Sequence, residues 1–237
     1  MPTKKQNKVI VITGSTRGIG FAIAEKFHKE GYFVVLNSAK SVNQSIVKKF
    51  EENGIYVQAD ISKKSECKRL IEQTFKQHGR IDVLVNNAGI YIPQDRMAES
   101  DRVKMFQTKL DGIQYCSDYA IERGVRSIVN ISSVYAQSPD FDARLSSALQ
   151  AGVENMTLNY ATRFAGKVNV NAIAPGYTDT SMVRENISAQ VLRKIIKNVP
   201  IRRLIKASEI ADVAYFLADT QIISGQVITA DGGYRLK

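Results

Sequence analysis

The stretch Thr13-Gly14-Ser15-Thr16-Arg17-Gly18-Ile19-Gly20 decides how the rest of the chain is read. The apolar run Val9-Ile10-Val11-Ile12 leads into it, and apolar residues at Ile19, Ala22, Ile23 and Phe27 follow at helical spacing. That order predicts a buried strand, a tight turn and an amphipathic helix. A tight turn wants positive φ, and an anion reaches backbone N–H groups only where no Cβ intervenes, so both demands select glycine. The helix N-terminus adds unpaired donors and a partial positive charge. Set between a buried strand and a helix, the pattern favours a dinucleotide over a purely structural turn.

Strand and helix signals alternate from there to the end. Strands are expected at residues 32–36, 56–57, 81–85, 127–131, 168–173 and 226–229. Helices are expected at 42–52, 65–77 (opened by a Ser65 cap), 102–122, 144–164, 189–198 and 208–217. No Pro/Gly/Ser-rich linker, repeat or low-complexity segment interrupts them, which points to a single domain over residues 1–237. The alternation implies an α/β fold: a Rossmann-type, doubly wound parallel sheet of about seven strands with helices on both faces. In such a sheet ligands bind beyond the carboxyl ends of the strands, where the strand order reverses.

A chain of 237 residues buries roughly 70% of its unfolded surface, enough for one core without staples. No apolar run approaches the roughly 18–20 residues of a membrane helix. Residues 1–8 are basic, but the apolar run before Thr13 is too short for a signal-peptide core. The expected location is therefore the cytoplasm. Cys67 and Cys116 make no disulfide framework, and no Cys/His spacing resembles a metal site. His28 and His78 fall near predicted helix ends and are expected to be solvent-facing caps. The net charge of +10 is spread along the chain, densest at Lys4-Lys5, Lys63-Lys64 and Arg202-Arg203, without interleaved aromatics. That argues against nucleic acid. Attraction for a phosphorylated cofactor or an acidic carrier protein is the more economical reading, with a general basic bias across the cell's proteins as the alternative.

The glycines at 14, 18 and 20 form G-x-x-x-G-x-G rather than G-x-G-x-x-G, and Asn86-Asn87-Ala88-Gly89 follows downstream. With these two motifs the chain resembles the short-chain dehydrogenase/reductase family over residues 8–234. The cofactor can be narrowed from the residues. NAD readers place an acid roughly 20 residues beyond the glycines, on the ribose 2′-OH. Here that neighbourhood is Leu36-Asn37-Ser38-Ala39-Lys40, with no acid. Asn37, Ser38 and Lys40 can donate to a 2′-phosphate, and Arg17 adds a cation inside the loop, so NADP(H) is expected over NAD(H). The alternative leaves Lys40 as a solvated helix-start residue. The resemblance also implies that Gly14, Ser15, Thr16, Gly18, Ile19 and Gly20 form the phosphate loop. It places Asp60 and Ile61 at the adenine, and Asn86, Ala88 and Gly89 on the adenosine ribose side. Pro175, Gly176 and Thr180 would hold the nicotinamide carboxamide, while Asn87 would be structural, pinning neighbouring strands.

The catalytic half departs from the family. There a tyrosine protonates the developing alkoxide, a lysine in Tyr-x-x-x-Lys lowers its pKa and grips the nicotinamide ribose, and an upstream serine holds the carbonyl oxygen. An asparagine on the preceding helix orders water in the proton relay. Ser133 takes the serine's place, but the tyrosine's place is Ser146 and the lysine's is Gln150, with Ala151-Gly152-Val153 setting the register. Lys109, in Thr108-Lys109-Leu110-Asp111-Gly112, stands where the asparagine would be. No Tyr-x-x-x-Lys occurs anywhere; Tyr119 with Arg123 is the nearest imitation. A serine hydroxyl is far less acidic than a phenol, and general acid–base catalysis is worth about 10²–10⁴ in rate.

One amide and one ammonium survive with their positions exchanged. Lys109 is therefore expected to point into the site and restore charge near the nicotinamide ribose, the alternative being drift on a helix surface. Tyr135 and Tyr177 are candidates for a relocated proton donor or for pocket walls. Asp140, Asp142 and Arg144 form either a lid or a solvated loop. Three functional readings remain. The first is an NADP(H)-dependent carbonyl reductase related to 3-oxoacyl-acyl-carrier-protein reductases, with a remodelled site, acting on a small carbonyl or acyl substrate, free or carrier-borne. The closing run from Gly225 to Tyr234 resembles that subgroup. The second is a silent NADP(H)-binding sensor or partner subunit of an active homologue. The third is lyase or isomerase chemistry. In the family, the helices that here carry Lys109 and residues 145–164 pair into a four-helix interface, and the last strand forms a second. That implies a homodimer or homotetramer, or a heteromer with an active homologue.

Overall fold

β1 (Val9–Ile12) is buried at all four positions. Ile10 and Ile12 face one core and Val9 and Val11 the other, so this strand is covered on both sides. A strand buried on both faces reads as an unbroken apolar run, which is the parallel-sheet signature. The computed structural model describes residues 7–138 and 143–236, so that Lys4, Lys5, Asp140 and Asp142 lie outside the described residues.

Six further strands pair in parallel with β1 or with one another: β2 (Phe33–Ser38), β3 (Gly54–Gln58), β4 (Val83–Asn86), β5 (Ser127–Ile131), β6 (Asn169–Pro175) and β7 (Val227–Ala230). The order across the sheet is β3-β2-β1-β4-β5-β6-β7, so the winding reverses between β1 and β4. On one face α1 (Gly18–Lys29) packs against α9 (Ala207–Asp219), burying Ile23, Phe27, Ile210 and Leu217. On the other, α3 (Lys64–His78) packs against α5 (Gly112–Glu122), burying Leu70, Ile71, Cys116 and Ala120. Each such side chain contributes about 1.5–3 kcal/mol relative to exposure. Asp82 locks the base of the sheet: its carboxylate accepts from Val9 N at 2.8 Å and from both Arg80 donors.

The remaining helices are α2 (Gln44–Lys48), α4 (Glu99–Phe106), α6 (Arg144–Arg163), α7 (Ser181–Asn186) and α8 (Ala189–Asn198). The long helix expected at 102–122 starts at Glu99 and is interrupted by a π turn over Gln107–Asp111, between α4 and α5. The helix expected at 42–52 contracts to α2, where Asn43 Oδ1 accepts from Ser45 N at 2.9 Å. Ser65 lies inside α3 and is not its cap; Lys63 is the boundary residue. His28 and His78 are not solvent-facing caps either. Both are half-buried, packed against Phe50 and Phe33 respectively. Among the described residues no helix is long and apolar enough to cross a membrane.

Candidate cofactor and catalytic site

The glycine turn leaves the end of β1 and is laced to the end of β4. Thr13 Oγ1 accepts from the backbone of Asn87 and Ala88, both at 3.1 Å. Asn87 Nδ2 donates to the carbonyls of Thr13 (3.0 Å) and Gly14 (2.9 Å), so it pins the turn itself. Gly14 has φ +64°, and a Cβ there would lie 2.8 Å from Ala88 Cα. Only glycine fits that position. Arg17 is the exposed N-cap of α1 and offers no side-chain cap, and the first helical turn holds no acid. The first N–H groups of α1 are thus left without a side-chain partner, which is the donor set an anion takes.

The residues around the turn divide into struts and ligand-facing groups. Ser15 is fully buried: its hydroxyl donates to Ile12 O at 2.8 Å and accepts from Asn37 N at 2.8 Å. Asn37 does not serve as a phosphate donor. Its amide nitrogen donates to the carbonyls of Val57 and Ala59, each at 3.1 Å, and its oxygen accepts from Gly14 N. Ser38 is likewise turned into its own loop, donating to Lys40 O at 2.7 Å. Arg17 and Lys40 remain as the exposed cations, and no carboxylate stands at the end of β2.

The Asn86 side chain is a strut of the sheet. It is buried, with Nδ2 donating to Ser117 Oγ (3.1 Å) and Asn130 Oδ1 (2.9 Å), which ties β4 to α5 and β5. Ile61 keeps its side chain in the core, where the close approach of Gly112 meets it. The Asp60 carboxylate accepts from Ser62 N and Oγ at 3.1 and 2.7 Å. On the far side, Thr180 caps α7, its hydroxyl accepting from Val183 N. A Cβ on Gly18 would lie 3.4 Å from Thr180 Cγ2. The turn expected at the phosphates and the loop expected at the nicotinamide therefore come into contact.

Lys109 sits in the π turn and is only 7% exposed. π turns insert an extra residue and re-aim side chains, often at functional sites. Its ammonium donates to Ile131 O at 2.6 Å, and a Cβ on Gly89 would lie 3.8 Å from Nζ. Lys109 points inward, toward the end of β5, and not to solvent. Burial lowers its pKa from 10.5 to about 8. Gly152 lets α6 approach this turn: a Cβ there would stand 3.1 Å from Leu110. On α6, Ser146 is half-buried, while Gln150 Oε1 is buried with no hydrogen-bond partner among the described residues. A buried orphan acceptor is costly unless a ligand hydroxyl supplies its donor.

Ser133 opens a single 3₁₀ turn, Val134–Ala136, with its hydroxyl accepting from Tyr135 N at 3.3 Å. The two tyrosines singled out in the sequence meet: Tyr135 Oη and Tyr177 Oη are 2.7 Å apart, and Tyr234 packs edge-on against Tyr177. Sequence reasoning missed Glu154. Its carboxylate accepts from Ser132 Oγ (3.1 Å) and Gln137 Nε2 (2.9 Å), holding both ends of the Ser133–Tyr135 turn to α6. The available signal was an acid one helical turn after Gln150, beside the apolar Leu149 and Val153.

A family model described as enoyl-(acyl carrier protein) reductase matches residues 14–235. The chain is 35% identical over 243 residues to the 3-oxoacyl-[acyl-carrier-protein] reductase FabG of Thermotoga maritima, covering 96% of this chain and 98% of that one. The chain belongs to the short-chain dehydrogenase/reductase family. Another member, the cis-4-hydroxycyclohexanecarboxylate dehydrogenase of Sinomonas cyclohexanicum, is 30% identical over 240 residues, 96% of each chain. The structure of ElxO with NADP bound superposes with a TM-score of 0.90 at 31% identity, covering 98% of this chain and all of that one. The seven-stranded parallel sheet with helices on both sides is thus the short-chain dehydrogenase/reductase fold.

Proposed function

We propose that this member of the family is an NADP(H)-dependent carbonyl reductase whose active site is rebuilt around Lys109. The observation that carries the reading is the buried ammonium itself, aimed at the end of β5 beside Gly89. Burying an unpaired charge is expensive, and a lysine drifting on an idle helix face would extend to water. In this reading Arg17 and Lys40 hold the 2′-phosphate and the α1 N-terminus the pyrophosphate. Asp60 and the Ile61 backbone take the adenine, Ala88 and Gly89 the adenosine ribose, and Pro175, Gly176 and Thr180 the nicotinamide end. Bound NADPH supplies a hydride. Ser133 donates to the substrate carbonyl oxygen. The Lys109 ammonium takes the place beside the nicotinamide ribose, donating to a ribose hydroxyl and stabilising the charge that develops at that carbonyl oxygen. Gln150 Oε1 accepts from a ribose hydroxyl, while Ser146 puts a short alcohol where the family has a phenol.

Residues 181–206, which follow the Thr180 loop, carry Arg184, Arg193, Lys194, Lys197, Arg202, Arg203 and Lys206 against Glu185 alone. Arg184 and Arg203 are paired with Asp179 and Glu209; the remaining Arg193, Lys194, Lys197, Arg202 and Lys206 support an anionic acyl substrate, including one borne on an acidic carrier. Val103 and Phe106 on α4 and Leu158 on α6 are about half exposed, which supports pairing of these helices in a homodimer or, through the last strand, a homotetramer. The test is direct. NADPH binding by fluorescence is expected, followed by oxidation with a panel of acyl ketones and diketones, abolished by Ser133→Ala without loss of binding. Absence of NADPH binding overturns the proposal. Binding without oxidation by any substrate leaves the silent cofactor-binding subunit as the reading, favoured then by Ser146, and capture of an active homologue would establish it.

A further inference from the structure

We propose that Tyr135 is the proton donor of this site and that Tyr177 positions and activates it, an inference that rests on the reductase reading above. The chemistry requires a donor. When the substrate carbonyl carbon accepts a hydride with its electron pair, the π pair of the C=O bond moves to oxygen, and that oxygen must take a proton. Ser146 is too weak an acid for the step.

Tyr135 leaves the same 3₁₀ turn that Ser133 opens, and its backbone N–H bonds the Ser133 hydroxyl. Carbonyl-oxygen donor and phenol are therefore set on one rigid turn at the carboxyl end of β5, the edge where the sheet presents its ligands. Tyr177 comes from the neighbouring loop, just past Pro175-Gly176 at the end of β6. The two hydroxyls are 2.7 Å apart with the rings edge to face at 86°. The ring of Tyr234 supports Tyr177 from the other side, 5.3 Å between centroids. Desolvation, and next the bond to Tyr135, push the Tyr177 phenol well above its ordinary value. Either hydroxyl can donate in the resting pair; in the proposed step Tyr177 keeps its proton and donates to Tyr135. A phenolate forming on Tyr135 receives that hydrogen bond, and charge-assisted bonds of this kind are about twice as strong as neutral ones. Tyr135, on the turn that Ser133 opens, gives its proton up to leave the product alcohol, and water returns the proton through Tyr177.

The experiment uses the full-length protein and its Tyr135→Phe and Tyr177→Phe variants. With a substrate that the native protein reduces, Tyr135→Phe is expected to lower kcat by about 10²–10⁴ with NADPH affinity unchanged. Tyr177→Phe, which keeps the donor but removes its partner, lowers kcat less and moves the alkaline limb of the pH profile upward. An ultraviolet difference titration gives a readout independent of turnover. One phenol titrates at lower pH with NADP⁺ bound than without, and that phenol is missing in Tyr135→Phe and raised in Tyr177→Phe. Native kcat in Tyr135→Phe, or persistence of the NADP⁺-sensitive phenol in that variant, overturns the assignment. Failure to bind NADPH at all overturns the reductase reading instead. If Tyr135→Phe does not fold, the shifted phenol in Tyr177→Phe decides the matter.

Discussion

Replacing Lys109 by Met keeps the unbranched chain as far as Cε and removes the ammonium with its charge. Lowering the ammonium from 10.5 to about 8 corresponds to about 3 kcal/mol of cost to the folded state at neutral pH, at about 1.4 kcal/mol per pH unit. The sign follows from the proton count. Between pH 8 and 10.5 the unfolded chain holds this proton and the folded one sheds it, so stability rises with pH across that window. Below pH 8 both states are protonated and the full cost is present. Lys109→Met abolishes the cost but leaves Ile131 O without its donor, a loss of about 1–3 kcal/mol. The net expectation is a variant as stable as the native protein at pH 7, or more stable by about 1–2 kcal/mol, and lacking the extra rise between pH 8 and 10.5. Its affinity for NADPH should fall by about 10- to 100-fold, the worth of one charge-assisted hydrogen bond. Urea denaturation at pH 7 and 9.5, with NADPH fluorescence titration, measures both. A variant destabilised by several kcal/mol with unchanged NADPH affinity would refute the reasoning and make Lys109 a structural prop.

Asn37→Ala should cost about 2–3 kcal/mol in urea denaturation, because it strands two carbonyls and the Gly14 N–H; a variant of native stability would show that Asn37 is not the strut described. Arg17→Ala combined with Lys40→Ala should weaken NADPH about tenfold or more while leaving NADH affinity and the melting temperature unchanged. Equal losses for both nucleotides would dissociate these cations from the 2′-phosphate. Ser146→Tyr with Gln150→Lys should raise ketone reduction by about 10² or more, read as NADPH oxidation. No gain would mean that Lys109 and the tyrosine pair block the restored site.

The order of strands and helices was legible because β1, β2 and β4 read as apolar runs and helical periodicity marks the segments between strands. The boundaries that shifted did so where tertiary contacts replaced local ones. Ser65 looked like a cap, but α3 begins before it and Glu66 reaches back to Asp60 N. The π turn left no mark in the sequence, since an extra residue in a helix is decided by what packs on it, here α6 through Gly152. The site was legible as a set of positions and not as a set of directions. Asn37, Ser38 and Asn86 lie at the expected strand ends, yet their polar atoms serve the fold. An asparagine suits a ligand or a buried carbonyl equally well until its surroundings are known.

By itself the amino-acid sequence determined the parallel α/β sheet, the glycine turn at its switch point, the absence of an acid after β2 and the loss of Tyr-x-x-x-Lys. Those are properties of residue type and spacing, carried by local periodicity and the steric demands of glycine. Only the tertiary structure decided that Lys109 turns inward beneath Gly89, that Gln150 keeps an acceptor with no partner among the described residues, and that Tyr135 and Tyr177 touch. These depend on how segments far apart in the chain close on one another, and burial rather than sequence distance sets the charge and proton affinity of the groups they enclose.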